Sequence, residues 1–162
     1  MTDRQLLARW TGTIEGTSCT PLEFYKMVEQ AVLEKELSGI RFATITHREG
    51  GWLTSKRVYL RIRRKKLFFD ICFFPVGNSS VVSWWLHCDQ FDVIDLFTEI
   101  PVVSFFIKRT IRATTYYSID LVQYFQKAVH AAILQILDRL TEENHLNLLN
   151  DEERRPVWEE IW

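Results

Sequence analysis

From Lys56 to Cys88 the chain reads KRVYLRIRRKKLFFDICFFPVGNSSVVSWWLHC, a stretch whose apolar residues recur at every second position rather than every third or fourth. Val58, Leu60 and Ile62 alternate with Tyr59, Arg61 and Arg63, which predicts a half-buried strand with one apolar and one basic-aromatic face. In LFFDICFF both alternating sets are apolar apart from Asp70, so this second strand is expected to be covered on both sides. Pro75, Gly77 and Asn78 supply turn chemistry before a third strand, Val81 to Cys88. Three strands joined by short connections form an antiparallel meander. The Arg64-Lys65-Lys66 break lacks Gly or Asn and predicts a type I-based loop of several residues rather than a tight turn.

The remaining chain must pack against that sheet. With 162 residues, 47% of them hydrophobic, there is material for one core and no need for two. No apolar run approaches the roughly 20 residues that span a bilayer, and the first residues lack a signal-peptide pattern, so the expectation is an intracellular, soluble, cytoplasmic protein. Three cysteines, Cys19, Cys72 and Cys88, without a close pair fit reduced thiols. The net charge of −1 hides a segregation. Residues 56–66 carry seven bases (Lys56, Arg57, Arg61, Arg63, Arg64, Lys65, Lys66) and no acid, whereas residues 138–162 carry eight acids against three bases.

In chain order, Gly12 and Gly16 break any helix in residues 1–19, which are expected to be a short helical turn and a loop. Thr20-Pro21-Leu22-Glu23 is a capping box with Pro at the first helical position, and the helix it opens should stop at Ser38-Gly39. Ile40 to His47 alternates as the first strand of the sheet, closed by Gly50-Gly51. Asp89 to Thr115 is irregular, with a short helix expected around Asp92 to Phe97. Ser118 caps the longest helix, whose apolar face (Val122, Phe125, Val129, Ala132, Ile133, Ile136, Leu140) opposes Gln123, Lys127, His130 and Asp138. Asn150 begins a last short helix in capping-box style, whose course Pro156 should kink or whose true start it should shift, with Trp158 and Trp162 one turn apart. The expected fold is therefore α+β: an N-terminal helix, a four-stranded antiparallel meander, a long irregular crossover, a long C-terminal helix packed on the sheet and a short terminal helix. It forms a single domain over 1–162, divided into an N-terminal segment (1–19), a core (20–142) and an acidic, Trp-bearing tail helix (143–162).

Chemistry-bearing residues are sparse. His87 and Cys88 are neighbours in a strand and point to opposite faces, so the histidine cannot activate the thiol there. Cys72 reads as core, and Cys19 stands before a helix N-terminus with no base nearby. His47, His130 and His145 lack companions at metal-ligand spacing, and no Walker loop, GxSxG or HExxH occurs, so neither metal nor cofactor is expected. Asp70 in its apolar strand calls for a partner, and Arg61 or Arg63 on the adjacent strand can provide an ion pair.

The predicted order of helix, four-stranded meander, long crossover, long helix and terminal helix resembles the ubiquitin-conjugating and RWD group of α+β folds over roughly residues 20–162. In the conjugating enzymes a cysteine in the crossover after the fourth strand, preceded by His-Pro-Asn, forms the thioester. Here Cys88 stands at the strand end and the tripeptide is absent, so the resemblance implies the non-catalytic, RWD-like interaction role. The expected function is a non-enzymatic protein-interaction or adaptor domain. Its docking residues would be Lys56, Arg57, Arg61, Arg63, Arg64, Lys65 and Lys66 or, on the tail, Trp158 and Trp162. The alternatives are a divergent thiol transferase using Cys88, or peripheral binding of an anionic membrane or nucleic acid through the basic strands; separately, Phe91 to Ile107, followed by Lys108, Arg109 and Arg112, has the composition of a segment that dips into a membrane interface.

Overall fold

The computed structural model describes residues 4–48, 56–89 and 107–159. Its elements are β1 (Arg4–Glu15), α1 (Pro21–Leu33), β2 (Ile40–Arg48), β3 (Lys56–Arg64), β4 (Leu67–Val76), β5 (Ser79–Asp89), α2 (Ile107–Glu143) and β6 (Val157–Trp158). The fold is α+β, with the strands in one six-stranded sheet of order β2-β3-β4-β5-β1-β6 and every adjacent pair antiparallel.

The meander β2 to β5 is as expected, but residues 4–15 form a strand instead of a helical turn. Arg9, Thr11, Thr13 and Glu15 alternate with buried Ala8, Trp10, Gly12 and Ile14, and β1 pairs along its length with β5. A bulge between Leu6 and Ala8 inserts Leu7, so Leu7 and Ala8 are both buried and the strand changes parity there. Gly12 is needed for close approach: a Cβ there would lie 2.5 Å from the Trp10 indole, which folds back across its own strand. Gly16 breaks the strand with φ 63°, and its N–H donates to Asn78 O.

Leaving β1, the chain crosses the sheet through α1 to reach β2 at the far edge. The Thr20 hydroxyl accepts from Glu23 N, while Thr20 N–H donates to the Glu23 carboxylate at 2.9 Å, so the expected capping box starts α1. Its C-cap is Glu34, short of Ser38-Gly39. The loop expected after β3 is a tight two-residue turn, because Arg64 pairs directly with Leu67 and Lys65 adopts φ 53°. Gly77 with φ 63° makes the turn between Val76 and Ser79.

The long helix begins at Ile107, well before Ser118, which lies inside it; its 37 residues span about 55 Å. Phe125, Val129, Ala132, Ile133 and Leu137 are buried in the core that α2 shares with α1 and the sheet, where Phe125 meets Phe69 edge-on at 6.0 Å. His130 does not join the polar face with Lys127: it is 7% exposed and lies between Trp10 and Trp84. The expected terminal helix is a single turn at Asn150–Arg154 followed by β6, since Pro156 removes a helical donor and the chain finds its partners on β1. The turn expected at Gly50-Gly51, the helix at Asp92–Phe97 and Trp162 lie outside the described residues.

Candidate functional site

Strand parity divides the sheet. Leu60, Ile62, Phe69, Ile71, Phe73, Trp84 and Leu86 face the helices and form the core. The opposite, outer face is a grid of cross-strand rows. One runs Arg41, Arg63, Phe68, His87, Leu6; the next runs Ala43, Arg61, Asp70, Trp85, Arg9.

In the second row, Arg61 makes a bidentate ion pair with Asp70, Nε to Oδ1 and Nη2 to Oδ2 both at 2.6 Å, with side-chain exposures of 15% and 9%. The carboxylate pushes the Arg61 guanidinium further up. This is the pairing that a buried Asp70 requires, and it fixes Arg61 as structural. In the first row Phe68, buried on a face that a strand of alternating polarity would leave wet, carries three guanidinium groups: Arg4 at 4.3 Å from the ring centroid, and Arg61 and Arg63 each at 5.3 Å. Arg4 is matched by Asp89 at 3.4 Å. Arg57 lies 4.2 Å over Phe74, three rows along from Phe68.

Arg63 differs. It is exposed, its Nε donates to Lys65 O at 3.0 Å, and the residue directly across the ladder is the exposed Arg41. Among the described residues neither has a carboxylate at ion-pair distance. Two like charges directly opposite one another destabilise a strand pair. Lys65, exposed at the turn, adds a third charge at the same end.

The other residues of the basic run are dispersed. Arg64 belongs to the helix side, donating from Nε to Ser38 O at 3.2 Å and sitting 6.0 Å from the Phe125 ring. Lys66 is half-buried at the turn, and its carbonyl accepts from Asp89 N. The side chain of Lys56 lies outside the described residues. Trp158 is in β6, 38% exposed, at the opposite edge of the sheet from Arg41.

Cys88 is 4% exposed on the helix-facing side, within the core, and its thiol donates to Asp89 O at 3.7 Å. His87 belongs to the other face, as strand parity requires. Burial, and then the nearby Glu23 carboxylate, push the Cys19 thiol up from its ordinary value, away from the thiolate that a nucleophile needs. Among the described residues no cluster of His, Cys, Asp and Glu could hold a metal ion, and no helix is long and apolar enough to cross a membrane.

A second polar cluster escapes sequence reasoning. Trp84 Nε1 donates to His130 Nδ1 at 3.1 Å, His130 Nε2 lies 2.7 Å from Arg154 O, and Trp10 Nε1 donates to Glu153 O at 2.6 Å. The only sign of it in the sequence is that His130 follows Val129, at the margin of the apolar stripe. Its tryptophan partners come from β1 and β5, far away in the chain. No protein-family model matches this chain, and no curated protein matches it.

Proposed function

We propose that the chain is a non-enzymatic interaction domain that docks an acidic segment of a partner protein on the outer face of the β2–β3 edge. The observation that carries this reading is the exposed Arg41–Arg63 cross-strand pair, joined by Lys65. It is a local concentration of positive charge that costs stability in the free protein. Carboxylates of a partner relieve that repulsion and gain forked hydrogen bonds from the guanidinium groups. The neighbouring guanidinium groups of Arg61 and Arg4 already hold Asp70 and Asp89, so they shape the site without serving it. The RWD-like resemblance implies the same kind of role for the expected element order; the observed order departs from it by adding β1 and β6 and by replacing the terminal helix with a single turn. The depth of Cys88 in the core favours it over thiol transfer.

The test is fluorescence anisotropy of a labelled oligoglutamate peptide. Affinity is expected to fall about tenfold for Arg41→Glu/Arg63→Glu, and again on raising salt from about 50 to about 200 mM. Binding indifferent to both changes overturns the proposal. Duplex DNA and phosphatidylserine vesicles are the comparison ligands; tighter binding of either one, lost in the same double variant, replaces the protein partner with that polyanion.

A further inference from the structure

The C-terminal segment 150–159 is held to the body of the protein by little apolar surface. Val157 and Trp158 remain 54% and 38% exposed, and β6 contributes only the pairs Ala8–Trp158 and Arg9–Val157. Glu159 N–H donates to Leu7 O, and the Arg9–Glu159 ion pair is at the surface, where such pairs contribute little. What seats the segment is a set of directional polar bonds from the turn at Asn150. Asn150 Oδ1 accepts from Glu152 N and Glu153 N, and the Glu153 carboxylate accepts from Asn150 N, which presents the Glu153 and Arg154 carbonyls inward. Trp10 Nε1 donates to the first and His130 Nε2 to the second. Arg154 then closes a bidentate pair with Asp138 at 2.5 and 3.0 Å.

These bonds fix the state of His130. An indole N–H only donates, so Nδ1 must carry the lone pair; a backbone carbonyl only accepts, so Nε2 must carry the hydrogen. The imidazole is neutral in the Nε2–H form. A second proton on Nδ1 would set N–H against the Trp84 N–H, so the charged ring cannot keep its place between the two tryptophans. The charged group acting on it is Arg154 on the tail, whose guanidinium disfavours a second cation and is itself paired with Asp138 on α2. Glu153 is engaged with Asn150, and from β1 and β5 the rings against His130 are those of Trp10 and Trp84. Among the described residues no carboxylate pairs with His130.

We propose that residues 150–159 are a clasp locked by neutral His130, and that protonation of His130 releases it and bares the backbone edge of β1 at Leu7 to Arg9. Burial lowers the His130 pKa below its ordinary value, so the clasp stays shut at neutral pH and opens only on acidification below about 6.5.

Hydrogen exchange of the full chain, followed by mass spectrometry at about pH 7.5 and about pH 5.5 and corrected for intrinsic rates, tests this. Segments 150–159 and 6–10 are expected to exchange about tenfold faster at the lower pH while α1 and β4 keep their protection. His130→Gln, whose amide can accept from Trp84 and donate to Arg154 at either pH, should abolish the difference. Unchanged protection in the wild type, an equal rise in His130→Gln, or loss of protection throughout the chain each overturns the proposal. If the variant does not fold, imidazole ¹⁵N shifts of the wild type serve instead. A neutral Nε2–H form whose titration coincides with tail exchange supports the clasp, and any other tautomer or a separate midpoint overturns it.

Discussion

Removing one oxygen atom, in Tyr25→Phe, should destabilise the protein more than most surface truncations. The β3–β4 ladder pairs directly from Arg64–Leu67 to Leu60–Ile71, and continuing it would bring Val58 opposite Phe73. There the Tyr25 hydroxyl from α1 stands between the strands, donating to Val58 O at 2.6 Å and accepting from Phe73 N at 3.1 Å. The residue is 3% exposed, so water does not replace the hydroxyl. Phenylalanine keeps the ring packing and orphans one carbonyl and one N–H, each at a cost of about 1–3 kcal/mol, for an expected loss of about 3 kcal/mol. In urea the midpoint should fall with an unchanged slope, and the melting temperature should drop by about 6–12 °C. A loss below about 0.5 kcal/mol would refute the reasoning, since it would mean that Val58 and Phe73 bond directly once the hydroxyl is gone. The same variant gives an alkaline signature. Burial is the main cause that pushes the Tyr25 pKa up to about 12, above the ordinary phenol value of about 10. The unfolded chain therefore loses this proton first, and the stabilisation from Tyr25 is full below about pH 10 and declines toward about pH 12. The difference between wild type and Tyr25→Phe should shrink across that window.

Arg61→Ala strands Asp70 at 7% exposure and should cost about 3–5 kcal/mol in equilibrium denaturation, whereas Arg61→Met with Asp70→Leu should be close to neutral; equal losses would mean that the pair's charge is not what matters. Gly12→Ala places a Cβ against the Trp10 indole and should cost about 1–3 kcal/mol with a shift in tryptophan emission, because the ring must move from its bond to Glu153 O; an unchanged spectrum and midpoint would contradict the close approach.

Where sequence and structure agree, the signal was local. The period-two pattern of residues 56–88, the capping box at Thr20 and the double-sided burial of β4 each follow from neighbours within a few positions. Asp70 pairs with Arg61 because a carboxylate inside an apolar strand has few other solutions. Where the reading failed, the deciding partner was remote. Arg9, Thr11, Thr13 and Glu15 alternate as a strand should, but Gly12 looks like a breaker until the Trp10 ring is seen lying over it. The polar reading of His130 rested on helical position alone, and only the tail and two tryptophans from other strands remove it from water. The tail's capping-box start at Asn150 is real, yet a single turn satisfies it, and β1 takes the rest. Of the basic run, the sequence could not distinguish Arg61, spent on Asp70, from Arg63, which faces Arg41.

The sheet order also separates the two proposed activities. Arg41 lies on the β2 edge and the clasp covers β1, with β3, β4 and β5 between them. Packed strands transmit a local shift only where they have a second arrangement to adopt, and the β3–β4 junction is pinned on its helix side by Tyr25 and on its outer side by the Arg61–Asp70 pair. Opening the clasp should therefore leave the Arg41–Arg63 surface intact, and oligoglutamate affinity at low salt should be the same in His130→Gln and wild type at about pH 5.5. A difference between them would mean that the sheet carries the change from one edge to the other. Tyr25→Phe, which loosens the junction between them, would then be the variant in which that coupling rises first.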